Sequence, residues 1–405
     1  MPSNNSTPHI VFSVGDASAD QYIADLVPLL QQRLPGLKCS GLGGGQMQAA
    51  GIDLLMNIAN QGIIGIVEAI RYLPLLRRAW RTLTHHLRTT KPDLLILVDY
   101  SGFNLKVARF AKQLNIKVLY YISPQIWAWK PYRLQLIRQY VDHIAVILPF
   151  EKAIYQQAQV PVSFVGHPLV PKVKPTGTRE QLASSFGLHP ERKTIGLLPG
   201  SRRMELKHLL PTLIDSASKL REHHPDLQFI MPVATTFTPQ MIQAKLPQSA
   251  PPIQLVPERM YDVLACCDAA IVASGTATLE TALMGVPQVI IYKGALINYW
   301  FVKYKVLKQH MDVIQHLGLC NIVAGKAIAP ELFQHEANPT ALTTIIRQYL
   351  EDDQHRQHNQ QELTQLREQL AAHTVDLPLD ALIESLLTTT VASPPRPSPR
   401  IGTLV

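Results

Sequence analysis

The sequence predicts an α/β protein of two domains, each a parallel sheet wound with helices. Three observations carry that prediction. Short apolar runs such as Leu94–Val98 and Thr194–Leu198 are continuous rather than alternating, as expected of strands covered on both faces. Most runs end in a small-residue turn and then a stretch with apolar residues at helical spacing, the grammar of a parallel sheet. The length of 405 residues is also long for one hydrophobic core.

In chain order, His9–Val14 leads into Gly15-Asp16-Ala17-Ser18-Ala19-Asp20, then Ile23, Leu26, Val27 and Leu30 on one helical face. A second run at 37–42 enters Gly43-Gly44-Gly45. This is not a dinucleotide fingerprint: Gly41-x-Gly43 would need glycine where Gln46 stands, and no helix is expected to open there. Hydride transfer is accordingly disfavoured. Residues 62–88 mix Ile, Leu and Val with Arg71, Arg77, Arg78, Trp80 and Arg81. Such a mixture suits a helix lying in the interface of an anionic membrane, and equally a core helix with a solvated arginine face. The later stretch 297–308, INYWFVKYKVLK, repeats the mixture.

Leu94–Val98 ends in Asp99, and Tyr100-Ser101-Gly102-Phe103-Asn104 opens the next helix. Ligands of open α/β sheets bind beyond the carboxyl ends of strands, which places Asp99 where chemistry is done unless it serves only as a helix cap. Runs at 116–122, 143–148 and 162–165 follow, and 170–178, with its lysines and prolines, reads as the linker. The second series opens at Thr194–Leu198 and Pro199-Gly200-Ser201-Arg202, continues through Gln228–Val233, 253–256 and 269–272, and closes at Gln288–Tyr292.

Two turns in this half stand out. The stretch IVASGTATLETALMG brings an apolar run to Ser274-Gly275-Thr276 and straight into a helix, with Glu280 about one turn further in. Small residues let a ligand approach the backbone, and the unpaired first amides of a helix, at the positive end of its dipole, favour a phosphate. Gly200-Ser201-Arg202 has the same form with a fixed cation added. Two such turns in one half-chain favour a diphosphate, and a carboxylate placed to accept from hydroxyls beside it favours a nucleotide.

Composition bounds the rest. The formal charge of +8 points to an anionic partner, whether nucleic acid, membrane surface or phosphorylated substrate. Acids such as Glu180, Glu191, Glu205 and Glu222 are interspersed among the basic residues, which argues against nucleic acid. No run approaches the ~20 apolar residues of a membrane span, and the first residues lack the charged and apolar regions of an export signal. Cys39, Cys266, Cys267 and Cys320 show no metal-ligand spacing and suit a reduced cytoplasm. No metal site is expected. The Pro-rich residues 389–405 read as a disordered tail.

Two Rossmann-like halves without a dinucleotide fingerprint resemble a GT-B glycosyltransferase, and more narrowly the lipid A disaccharide synthase family. The resemblance is carried in order by Gly15 to Asp20, Gly65 with Glu68, Asp99 with Phe103-Asn104, Ser123-Pro124 with Trp127-Ala128-Trp129 and Leu148-Pro149-Phe150-Glu151. It continues through Gly166-His167, Leu198-Pro199-Gly200-Ser201-Arg202 with Glu205, Ser274 to Glu280, and Asn321 with Ala324-Gly325. Asp16, Ala19 and Cys320 depart from the glutamate, glycine and proline usual in the family at those places.

The resemblance implies an acceptor and membrane-facing domain at 1–170, a UDP-sugar donor domain at 171–352, and a C-terminal helix at about 353–388 able to pack back on the first. It implies an inverting transfer of diacylglucosamine from UDP-2,3-diacylglucosamine to 2,3-diacylglucosamine 1-phosphate, with no cofactor. Asp99 would be the general base. Gly200, Ser201, Arg202, Ser274, Gly275, Thr276, Glu280 and Asn321 would bind the nucleotide and diphosphate. Gly15, Asp16, Ser18, Glu68 and Asn104 would lie toward the acceptor. Arg77, Arg78, Trp80 and Arg81 would face the cytoplasmic side of the inner membrane, with a homodimer left open. The alternatives are another GT-B enzyme, either a polyprenyl-linked N-acetylglucosaminyltransferase or a UDP-sugar epimerase, or a non-catalytic nucleotide-sugar binder.

Overall fold

A computed structural model describes residues 7–59, 73–123, 133–293, 316–371 and 375–388. Its first sheet holds β1 (His9–Val14), β2 (Lys38–Gly43), β3 (Asp53–Asn57), β4 (Leu94–Val98), β5 (Lys117–Tyr121), β6 (His143–Val146) and β7 (Val162–Phe164) in the order β3-β2-β1-β4-β5-β6-β7. The second holds β8 (Thr194–Leu198), β9 (Gln228–Val233), β10 (Ile253–Pro257), β11 (Ala269–Ala273), β12 (Gln288–Tyr292) and β13 (Glu331–Phe333) in the order β10-β9-β8-β11-β12-β13. The described strand pairs are all parallel. Parallel pairing demands crossover helices on both faces, which is why β4 and β11 are buried along their whole length.

The strand order reverses direction at one place in each sheet, between β1 and β4 and between β8 and β11. Val14 is in register with Val98, and Leu198 with Val272. The turns that leave these strands therefore emerge side by side, at the switch points where open α/β sheets bind ligands.

Several expectations need correction. A short helix, Gly45–Ala49, does open after the triple glycine. Its first amides are taken by the buried carboxylate of Asp20, which accepts from Gly44 at 2.6 Å and Gln46 at 3.0 Å, so no anion site is left there. A Cβ on Gly44 would meet that carboxylate at 2.5 Å. The edge strands β3 and β13 carry no strong apolar pattern and were not expected. Residues 170–178, read as the linker, are packed against the protein: Val173 is fully buried, and the Thr176 amide and hydroxyl both donate to Asp262.

The segment 353–388 is two helices with different hosts. Asp353–Leu370 lies on the second half, where Asn359 donates to the Ile328 carbonyl at 2.6 Å and Lys326 pairs with Glu362 at 2.9 Å. Leu379–Thr388 packs Leu382 and Ile383 into the core around β1 and pairs Asp380 and Glu384 with Arg33 of the Ala17–Arg33 helix. By Asp376, which pairs with Lys152 and accepts from the Phe164 amide, the chain is back on the first half. Among the described residues no helix is long and apolar enough to cross a membrane. The tail at 389–405 and the stretch 297–308 lie outside the described residues.

Candidate active site

Asp99 leaves the end of β4 in an unusual backbone state. Both Asp99 and Tyr100 have φ of +46°, in the left-handed region that side-chain-bearing residues avoid. Each such residue costs of order 1–3 kcal/mol and persists only where its surroundings hold it. Here the Asp99 amide donates to the Tyr121 carbonyl at 3.2 Å, and its carbonyl accepts from the Tyr120 hydroxyl at 2.6 Å and from Asn104 Nδ2 at 2.9 Å. The Tyr100 ring covers Gly15 so closely that a Cβ there would meet it at 2.5 Å. Beyond the carboxyl end of this central strand, Asp99 is exposed.

Its surroundings also change its acidity. Desolvation by the protein around it, then the neighbouring Asp16 carboxylate, push the Asp99 carboxyl up to about 6, against the Tyr100 amide, which donates to it. Asp16 caps the Ala17–Arg33 helix, accepting from the Ala19 amide at 2.9 Å, and Ser18 lies exposed on that helix's first turn. A base that titrates near neutrality, accessible and beside a second carboxylate, can take a proton from a hydroxyl.

In the second sheet, β11 passes through Ser274 to Gly275, whose φ of +149° only glycine adopts readily and whose missing side chain faces open space. The helix Thr276–Leu283 begins there with no side-chain cap among the described residues, and both Gly275 and Thr276 are exposed. The Ser274 amide donates to the Ile291 carbonyl at 2.9 Å and the Thr278 amide to the Gly275 carbonyl at 3.1 Å. That leaves the exposed Gly275 and Thr276 amides, without a partner among the described residues, as the donors an anion site requires. Glu280 accepts from the Tyr261 hydroxyl at 2.8 Å, and burial raises its pKa against that hydrogen bond.

The other turn is different. Gly200, with φ of +94°, leads into the helix Arg203–His223, but Glu205 folds back over it. The Glu205 carboxylate accepts from the Ser201 amide at 3.1 Å and the Arg202 amide at 3.3 Å, and pairs with the Arg202 guanidinium at 2.8 Å. The donors expected to face a diphosphate here are held by the protein's own anion.

Tyr22 places both sites on one seam. Tyr22, from the Ala17–Arg33 helix, packs in an apolar cluster with Tyr261, Leu279 and Met284 of the second half. Its hydroxyl feels the charges of Glu280 and Asp16, and burial by the two halves raises its pKa to about 12. Tyr22, Tyr261 and Arg133, whose guanidinium donates to Ser101 Oγ just beyond Asp99, were not singled out in the sequence. Nothing in their spacing marks them, because they come from elements distant in the chain.

Other expected site residues serve elsewhere. Asn321 is fully buried: its Nδ2 donates to the Ala329 carbonyl and Glu331, and its Oδ1 accepts from the Ile328 and Ala329 amides. Both polar atoms of its side chain are engaged in bracing the 328–331 segment. Asn104, also fully buried, braces the Asp99 turn from behind, not the acceptor's side. Trp80 turns inward, edge-on to Phe103 at 6.2 Å and Phe110 at 5.9 Å, whereas Arg77, Arg78 and Arg81 are exposed on the outer face of the Leu73–Thr90 helix. Glu68 lies outside the described residues.

Known proteins share this chain's sequence and fold. The chain matches the family model for lipid-A-disaccharide synthetase over residues 10–379. It is 43% identical to a lipid-A-disaccharide synthase of Nitrosococcus oceani, over 91% of this chain and 94% of the relative. Among solved structures it resembles a putative UDP-N-acetylglucosamine 2-epimerase from Listeria monocytogenes, with a TM-score of 0.61, 11% identity, and 98% and 100% of the two chains covered. It also resembles the calicheamicin glycosyltransferase CalG4, with a TM-score of 0.55, 13% identity, and 95% and 99% covered. Those two likenesses speak to the fold, which is GT-B. With its family model spanning most of its length and a relative this similar, the chain belongs to the lipid-A-disaccharide synthase family of glycosyltransferases.

Proposed function

We propose that this glycosyltransferase joins UDP-2,3-diacylglucosamine to 2,3-diacylglucosamine 1-phosphate, forming a β-1,6-linked disaccharide 1-phosphate and releasing UDP. The observation that carries the reading is the pairing of Asp99 at one switch point with the uncapped Gly275–Thr276 helix start at the other. Asp99 removes the proton of the acceptor's 6-hydroxyl as that oxygen attacks the anomeric carbon from the face opposite the diphosphate. One in-line displacement inverts an α-linked donor to a β product.

Charge growing on the departing diphosphate meets the amides of Gly275 and Thr276, since that of Ser274 is held by the Ile291 carbonyl. Arg202 joins them once Glu205 releases it, together with the amides of Ser201 and Arg202. Fixed donors of this kind stabilise a leaving anion without reorganising as it forms, and the mechanism calls for no metal or cofactor. Glu280 accepts from the ribose hydroxyls beside the Tyr261 hydroxyl. Desolvation, and then the charge of Asp16, keep the Asp99 proton affinity high enough for a base.

Both substrates are lipids, and at ~0.8 kcal/mol per buried CH₂ their chains stay in the bilayer. The enzyme then works as a peripheral protein at the cytoplasmic face of the inner membrane, held by the exposed Arg77, Arg78 and Arg81. Replacing these three with Glu should release the protein from anionic vesicles; retention would move the docking surface elsewhere. The reaction is tested by radiolabel transfer from UDP-diacylglucosamine to diacylglucosamine 1-phosphate in detergent. Appearance of labelled disaccharide supports it, and a water-soluble UDP-sugar product would point to an epimerase instead.

A further inference from the structure

A cavity of about 550 Å³ opens beside the Gly200–Arg202 turn. One wall is a face of the Arg203–His223 helix bearing Leu206, Leu210 and Ile214, and the other bears Phe237 and Met241. From residue 203 to 214 this wall runs about 16 Å along the helix axis at the standard rise. The two walls are tied at the mouth, where Thr236 Oγ1 donates to the Ser201 carbonyl at 2.6 Å.

The chemistry of the groove is graded. Its floor is aliphatic and aromatic, and its charges stand at the edge: Arg203, Lys207 and Lys245 are exposed, and Asp215 is answered by nearby Lys293. Met204 and Met241 are 59% and 41% exposed at the mouth, where large apolar side chains are otherwise costly to leave in water. Methionine is the side chain best able to adapt to a flexible apolar ligand. A cationic rim, an apolar trough and an origin one turn from the anion-binding turn suit a molecule with an anionic head and a hydrocarbon tail.

We propose that this groove holds a fatty acyl chain of the donor sugar, extending away from the diphosphate along the Arg203–His223 helix. The assignment rests on the reaction proposed above. It makes the second domain a reader of acyl length, and it places that reading on the surface Glu205 covers, so that donor binding and the opening of the Gly200 turn occur at one spot.

The test compares the wild type with Met241→Trp, which narrows the mouth at an exposed position and leaves the core untouched. Initial rates are measured in detergent with a long-chain and a short-chain acyl donor, and the fluorescent fatty acid cis-parinarate is titrated by its own emission. The expected result is a fall of about tenfold in the long-to-short ratio of kcat/KM, the scale on which apolar pockets discriminate, with a parallel loss of parinarate affinity. An unchanged ratio overturns the assignment, as does parinarate binding equally to both proteins. If Met241→Trp instead loses sedimentation with phosphatidylethanolamine–phosphatidylglycerol vesicles while keeping the ratio, the groove contacts bilayer lipid and the assignment is equally wrong. Should the wild type turn over neither donor, the reaction itself is refuted, and the parinarate titration alone judges the groove.

Discussion

The two glycine turns of the second sheet are built alike and stand in opposite states. Each follows a central strand, carries a positive-φ glycine, and has a glutamate five residues on: Gly200 with Glu205, Gly275 with Glu280. Glu205 bends back to fill its own turn, whereas Glu280 turns away to Tyr261 and leaves its turn open. The difference teaches that a carboxylate in the first turn of a helix can act as a built-in stand-in for a phosphate. The Gly275 turn is ready for an anion as it stands. The Gly200 turn must first release one, which links binding there to a side-chain movement.

Substitutions can break or sharpen that contrast. The largest effect is expected from Gly275→Val, which forbids the +149° backbone and misdirects the open amides. UDP affinity measured by calorimetry should fall roughly a hundredfold, the scale of a lost preorganised donor. Gly200→Val, whose side chain would collide with the Glu205 carboxylate, should cost less, about tenfold, because that turn is not yet presented to ligand. Equal losses would erase the distinction between the turns.

Next comes the acid limb of activity. With the Asp99 carboxyl at about 6, kcat/KM should drop about tenfold per pH unit below that value as the base becomes protonated. Asp16→Asn removes a neighbouring charge that raises it, so the limb should move to lower pH in a pH–rate profile. An unmoved limb would separate Asp16 from the base.

A smaller change is expected from Glu205→Gln. Removing the competing negative charge should tighten UDP about threefold, in keeping with the modest worth of a charge at a helix start. Weaker binding would mean that Glu205 itself reaches the ligand. The smallest effect concerns stability. Because the folded protein raises the Asp99 pKa, it disfavours the ionised form, a cost fully present above about pH 6 and absent below the ordinary aspartate range. Asp99→Asn should therefore raise Tm by about 2 °C at pH 8 and leave it unchanged at pH 3, a small gain because the side chain is open to solvent.

Much of this architecture was legible because covered parallel strands announce themselves. β1, β4, β8, β9 and β12 begin and end where the continuous apolar runs do. The strands β3 and β13 were not: Asp53–Asn57 is nowhere fully buried, and Glu331–Phe333 is only three half-buried residues long. At the site, Asp99 and the Gly275 turn could be read from strand-end position and turn chemistry. Asn104 and Asn321 could not be placed correctly, because an amide that braces a loop and an amide that grips a ligand are the same residue in a similar turn. Burial alone tells them apart, and burial is a property of the fold. Trp80 was misplaced for a related reason: on a helix rich in arginine, the face carrying the indole depends on what packs beneath it, here Phe103 and Phe110. Glu205 shows the limit most clearly, since no pattern distinguishes a glutamate that closes a turn from one that leaves it open.

Asp99→Ala measures the separation of roles between the two sheets directly. If Asp99 is the base, turnover in the detergent transfer assay falls by about 10³-fold, within the usual range for a lost general base, while UDP binds the variant as tightly as the wild type. Turnover left near the wild-type rate, or UDP affinity lost along with it, would contradict the assignment.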